Sequence, residues 1–251
     1  MRKSLAVTTT IVLLLGLQGL GFADSPNPIV KWSQLPDMGN GHQFSSEVKV
    51  PSIVGDDWIC PDGRPITDIH WWGGYWTPVA DGQYAHYTDG RPTPLAPGTL
   101  QPFVISIWSN VPAGGPEPYS RPGSILATYA FNLADAHETF YGTTTASGRN
   151  VYQYYVDLPE RFEQTQGTTY WLTIRADLPT TSAQWGWQES NDHRVSAAVQ
   201  DFKGSGWVQI QNNQYDNDMA FELTTIPEPT GLSALGIGLA SMGTFFFRRR
   251  R

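Results

Sequence analysis

Residues 66–76 read ITDIHWWGGYW, a run of β-branched and aromatic side chains that favours a β-strand. Similar short runs recur along the chain, separated by Gly, Pro and Asp residues typical of turns. In several of them every second residue is apolar, as with Tyr170, Leu172 and Ile174, which a strand would place on one face. The pattern predicts an all-β fold, a single antiparallel β-sandwich of jelly-roll-like type, with a closed barrel as the alternative.

The recurring runs define the predicted strands and the connections between them. The predicted strands are 47–50, 66–72, 103–108, 124–131, 151–157, 169–176, 184–189, 195–202, 207–211 and 219–224. Prolines are dense in 77–102 and again in 110–123. Because proline cannot donate to a sheet ladder, we expect both segments to be surface loops, and loops of this length are often functional.

In residues 66–76, a strand would place the adjacent Trp71 and Trp72 on opposite faces. If its pleating is regular, Trp71 faces the core, while Trp72 lies on the other face beside Asp68 and His70. A ring with neighbouring hydrogen-bonding groups can stack on a sugar and hold its hydroxyl groups, whereas the alternative is that these aromatics fill the sandwich core. The candidate glycan-binding residues are Trp72, Tyr75, Trp76, Asp68 and His70.

Oxygen-bearing side chains occur at two places in the sequence and could supply ligands to a calcium ion, which takes six to eight oxygen ligands. The candidates are Asp56, Asp57, Asp216 and Asp218, with Asp68 and Asn217 beside them. Their spacing matches no EF-hand loop, and residues 216–218 also suit an ordinary turn before a strand. We therefore expect no cofactor, with a structural calcium ion as the alternative.

The sequence carries no catalytic signature. The histidines show no paired spacing of the His-x-x-x-His kind, and there is no Gly-x-Ser-x-Gly. Cys60 is the one cysteine, so an intrachain disulfide is excluded and a buried core position is expected. A glycosidase needs two carboxylates across a cleft, which no sequence motif excludes, so a glycan-active enzyme stays open as the minor alternative.

The N-terminal residues have the order of a secretory signal peptide. Arg2 and Lys3 precede an uncharged apolar run at 5–20, and small residues follow at Gly21 and Ala23. We expect cleavage after Ala23, with an uncleaved membrane anchor as the alternative.

The C-terminal residues have the order of a short membrane stop. Pro227-Glu228-Pro229 precedes an uncharged stretch at 231–247, which as a helix would span about 25 Å. The chain then ends in Arg248, Arg249, Arg250 and Arg251, which belong on the cytoplasmic side by the positive-inside rule.

These three parts at the C-terminus resemble the PEP-CTERM sorting signal. The resemblance implies a Gram-negative host, transient insertion in the inner membrane, and processing by an exosortase, in a family associated with exopolysaccharide and biofilm matrix. An ordinary C-terminal anchor is the alternative. Residues 30–225 are similar to an uncharacterised β-rich family of secreted bacterial proteins with a "DDW…PITDIHWWGSY" core, carried here by 56–58 and 66–75. That resemblance implies fold and location but no activity.

The predicted organisation is a signal peptide at 1–23, a β-sandwich at 24–226 and a sorting tail at 227–251. Without the basic residues of the signal and tail and without Glu228, the 16 basic and 23 acidic residues fall to about 10 and 22, a net charge near −12. Such a charge argues against nucleic acid as a partner. We expect signal peptidase and exosortase as maturation partners, and a structural or adhesive, non-catalytic role at the cell surface or in the extracellular matrix. An exopolysaccharide-binding module is the alternative function.

Overall fold

The computed structural model of the protein describes residues 27–76, 103–178, 184–212 and 215–226. The strands are β1 (Ile29–Gln34), β2 (Gln43–Ser45), β3 (Ser52–Ile59), β4 (Ile66–Trp76), β5 (Phe103–Val111), β6 (Arg121–Phe131), β7 (Thr139–Thr143), β8 (Asn150–Phe162), β9 (Thr169–Ala176), β10 (Gln184–Ser190), β11 (Val199–Phe202), β12 (Trp207–Gln209), β13 (Gln211–Asn212), β14 (Tyr215–Asp216), β15 (Asp218–Met219) and β16 (Phe221–Thr225). No helix occurs among these residues, and hence none long and apolar enough to span a membrane.

The strands form two main antiparallel sheets. In the larger, eight-stranded sheet, β4 pairs with β8 along one side and with β16 and then β10 along the other. The smaller, six-stranded sheet has the order β12-β11-β3-β9-β5-β6. Both sheets end in edge strands, so the predicted antiparallel sandwich is confirmed.

The first and last strands are neighbours in the larger sheet. β16 lies between β1 and β4, with Ile29 opposite Thr225 and Phe221 opposite Trp71. Every strand of both sheets therefore falls within residues 29–225.

The core lies between the sheets and is rich in aromatic rings. The alternation read from the sequence holds, because Leu172 and Ile174 of β9 and Ile69 of β4 are all 0% exposed in one apolar cluster. Trp71 belongs to the same cluster and stacks on Tyr154 with ring centroids 5.3 Å apart. Large rings each bury 150–250 Å², so these contacts dominate the stabilisation of the sandwich.

The structure corrects two features expected from the sequence. Residues 47–50 form a turn, not a strand, and β3, which the sequence pattern did not predict, lies in the middle of the smaller sheet. Segment 110–123 is shorter as a loop than expected, because β5 continues to Val111 and β6 begins at Arg121, but residues 112–120 form the predicted surface loop. Pro122 is tolerated in β6 because that strand lies at the sheet edge, where its missing N–H leaves no ladder broken.

Some expectations fall elsewhere in the chain. The signal peptide at 1–23, the first proline-rich connection at 77–102, and the sorting tail with Pro227, Glu228, Pro229 and Arg248 to Arg251 lie outside the described residues.

Candidate functional site

The outer face of the larger sheet brings together side chains from three neighbouring strands. The register places Glu222 of β16, His70 of β4 and Tyr155 of β8 side by side. One step along, Asp68 lies opposite Asp157. This face turns away from the core, since Ile69 and Trp71 between these positions point inward.

Asp68 and His70, both predicted as site residues, form a hydrogen-bonded pair. His70 Nε2 lies 3.0 Å from Asp68 Oδ2, and the Thr67 hydroxyl donates to Asp68 Oδ1 at 3.0 Å. Burial alone would raise the pKa of Asp68, but the hydrogen bonds from His70 and neighbouring hydroxyl groups outweigh it and lower the pKa. The ionised carboxylate therefore fixes the orientation of the imidazole ring.

The sequence did not predict the rings that extend this pair. Tyr155 stacks on His70 with centroids 5.4 Å apart, and His137 stacks on Tyr155 at 4.2 Å with the planes within 9°. The backbone N–H of Tyr155 donates to the Ala136 carbonyl at 3.0 Å, which docks the turn carrying His137 against β8. His137 has a φ of 43°, a conformation that costs a non-glycine residue roughly 1–3 kcal/mol and must be offset by such contacts.

Trp72 lies on the predicted face, but it is not the exposed platform of the sugar-stacking hypothesis. Its side chain is 3% exposed and packs with Val151 and Ala220. Tyr141 lies edge-on over the indole with ring centroids 5.8 Å apart, at an irregularity in the pairing of β7 with β8. The outward ring at this position is therefore Tyr141, which is 44% exposed.

Tyr75 belongs to the core, which corrects the expectation that it widens the platform. It is 5% exposed, its ring packs edge-on against Tyr152, and its hydroxyl donates to Glu138 Oε2 at 2.5 Å. β4 continues through Trp76 without interruption, so Tyr75 shares the inward parity of Trp71. The side chain of Trp76 lies outside the described part of the structure.

Four rings thus form a surface that we call the outer strip, made of Tyr141, His70, Tyr155 and His137. Along β4, Trp72 beneath Tyr141 is two residues from His70, a separation of about 7 Å. Gln153 of β8, half-buried, is the Cα partner of Trp72 and supplies an amide between the two tyrosines. The strip therefore combines partly exposed rings with fixed hydrogen-bonding groups.

The calcium candidates have a different role. Asp56 lies at the core between the sheets, where its Oδ2 accepts hydrogen bonds from the Met219 N–H at 2.6 Å and the Gln34 amide at 3.1 Å. Asp57 Oδ1 accepts from the Ser196 N–H, and Asp218 Oδ2 from the Arg194 N–H. Backbone and amide donors thus occupy oxygens that calcium would need.

Burial also disfavours the charged form of these acids. Burial, with the nearby carboxylates of Asp218 and Asp57, raises the pKa of Asp56, and burial raises the pKa of Asp57 to about 7. Among the described residues, no group of three or more His, Cys, Asp or Glu is arranged to hold a metal ion. The side chain of Asp216 lies outside the described part.

Comparison with curated proteins gave no match. Residues 30–224 match a family described as "Domain of unknown function (DUF7901)". This range covers the strands of both sheets almost completely, so the expectation of an uncharacterised β-rich domain is confirmed. The chain belongs to the DUF7901 family.

Proposed function

We propose that the protein is exported, processed at its C-terminus by an exosortase, and retained at the cell surface or in the extracellular matrix. There its sandwich acts as a non-catalytic adhesive domain that binds polysaccharide along the outer strip. The order of motifs at the two ends supports the export and processing steps. The binding step rests on the outer strip.

The observation that carries the binding proposal is the exposed, laterally ordered stack of His70, Tyr155 and His137. Tyr155 is 37% exposed, and its ring is held parallel to that of His137 within 9°. Rings that are fixed before binding lose little conformational freedom when a ligand stacks on them. The apolar face of a sugar suits the ring of Tyr141 and the exposed edges of the stack, and its hydroxyl groups can pair with Gln153 and the adjoining carboxylates.

The carboxyl groups favour binding over catalysis. A glycosidase needs a general acid whose pKa is raised, so that it carries a proton to the leaving group. On the outer strip, the pKa of Asp68 is lowered. The raised pKa values belong to Glu47, about 8, to Asp57, about 7, and to Asp56, whose pKa burial raises as well. These three residues are at most 1% exposed and do not reach a ligand.

A glycan array probed with residues 24–226 tests the binding proposal. Tyr155→Ala and Tyr141→Ala should each abolish the signal and leave the melting temperature within about 3 °C, because both rings are exposed. Phe140→Ala is the matched control, since Phe140 is 56% exposed on the same strand but packs against Tyr152. Binding that survives both tyrosine substitutions, or no binding to any glycan, would contradict the proposal.

The intact mass of the protein from its native host tests the processing step. The surface form should lack residues 227–251. A surface form that retains Arg248 to Arg251 would show a permanent anchor instead.

A further inference from the structure

In strands β4, β7, β8 up to residue 158 and β16, and in residues 132–138, the charged groups that border the outer strip are carboxylates. Asp157 is exposed beside Tyr155 on β8, and Glu222 is half-buried beside His70 on β16. Neither carboxylate is hydrogen-bonded or ion-paired to another described residue. Strands β4, β7 and β16 and residues 132–138 and 150–158 contain no Lys or Arg.

Apart from the two histidines of the strip itself, the charges that these segments carry near neutral pH are therefore negative. Asp68 adds a third carboxylate, ionised and held by His70. Because the whole mature domain is also acidic, the field at the strip repels polyanions and attracts cations.

We propose that the outer strip selects polysaccharides whose sugars carry free amino groups. The inference rests on the proposed function and names its ligand class. The ring of Tyr141 stacks on a sugar face, the edges of the His70–Tyr155–His137 stack contact the bound chain, and the ammonium groups of that chain lie next to Asp157 and Glu222. An ammonium group near the Tyr141 ring gains a further cation–π attraction. Polymers of uronic acids are excluded by the same carboxylates.

The two carboxylates lie next to different members of the central ring pair. Asp157 is two residues from Tyr155 along β8, about 7 Å away, whereas Glu222 is one strand away from His70, about 5 Å. A chain lying over the rings would therefore meet carboxylates at two separate places. That placement suits a polymer with repeated amino groups better than a single cation.

Titration of glucosamine oligomers into residues 24–226 at mildly acidic pH and low ionic strength tests the inference. The N-acetylated oligomer of the same length is the neutral reference. The free-amine oligomer should bind about tenfold more tightly, because the two carboxylates each contribute a few-fold. The preference should shrink at high salt, where exposed charges are screened.

Variants separate this inference from the proposed function. Asp157→Asn combined with Glu222→Gln should remove the amine preference and leave binding of the N-acetylated oligomer unchanged, whereas Tyr155→Ala should lose both ligands. The matched control is Glu117→Gln combined with Asp201→Asn. It also removes two negative charges, but from positions in or next to the smaller sheet, and it should keep the preference for the free-amine oligomer.

Each remaining outcome has a defined meaning. Equal binding of the two oligomers, or a preference that survives in the double carboxylate variant, overturns the amine selectivity while the polysaccharide-binding function stands. Tight binding of oligolysine also overturns it, because the strip would then attract any polycation. Absence of binding to every glycan defeats the proposed function itself.

Discussion

Glu47 is a carboxyl group inside the protein, and its proton contributes to the free energy of unfolding. The side chain is 1% exposed, and Oε1 accepts a hydrogen bond from the backbone N–H of Trp185 at 2.5 Å. Burial raises its pKa from 4.5 to about 8. Backbone hydrogen bonds from Trp185 and Leu178 and the charge of Lys49 act against this increase, and the charge of Asp177 adds to it.

The folded protein therefore keeps this proton at pH values where the unfolded chain has lost it. The stability that the neutral Glu47 provides is complete below pH 4.5 and is lost as the pH rises through about 8. The difference between these two pKa values corresponds to a contribution of roughly 4–5 kcal/mol to the free energy of unfolding. Glu47→Gln keeps the oxygen acceptor but is neutral at every pH. The variant should match the wild type near pH 5 and exceed its stability by roughly 3–5 kcal/mol near pH 9.

Urea unfolding of residues 24–226, followed by tryptophan fluorescence across this pH range, measures the effect. Glu163→Gln is the control, because that side chain is 65% exposed, and it should retain the full loss of stability at high pH. If the curves of the wild type and Glu47→Gln run parallel, the proton does not reside on Glu47 and the reasoning is refuted.

Further substitutions test the packing and the absence of cross-links. Trp72→Ala and Trp71→Ala should each lower the free energy of unfolding in urea by roughly 3–5 kcal/mol, because both side chains are buried. If the Trp72→Ala variant is as stable as the wild type, the Trp72 side chain is not buried. Gly73→Ala should cost about 3 kcal/mol or more, since its Cβ would lie 2.6 Å from the Gly186 carbonyl oxygen, whereas Gly115→Ala, with nothing within 4 Å, should be neutral. Cys60→Ala should remain folded with a loss of about 1–2 kcal/mol, as expected for a small buried side chain; failure to fold would contradict this. The melting temperature should not change with EDTA, because protein donors occupy oxygens of Asp56 and Asp57; a decrease that calcium reverses would show a bound ion.

Local alternation in the sequence was enough to predict the fold class and the inward and outward positions of several strands. The same alternation placed Asp68 and His70 on one face and Trp71 on the other. It was not extended to Tyr75, because the predicted strand ended at residue 72, before Gly73 and Gly74. In the structure these glycines continue β4, and their missing side chains leave room for the Trp185 ring and the Gln43 amide.

The rest of the outer strip depends on which strands are neighbours. Tyr155 could be recognised as an outward residue of its strand, but its position beside His70 follows from the pairing of β8 with β4. His137 reaches the strip from a turn, and Tyr141 from an irregular edge strand. Single-sequence periodicity contains neither the sheet order nor such irregularities, so these rings were not predicted.

The position of β16 has a consequence for synthesis of the chain. It is the last strand that the structure describes, yet it fills an interior place in the larger sheet between β1 and β4. A chain growing from its N-terminus therefore holds an open slot in that sheet until residues 221–225 are available. Products that end before residue 221 would expose this slot to proteases, so the topology itself favours the survival of copies that include β16.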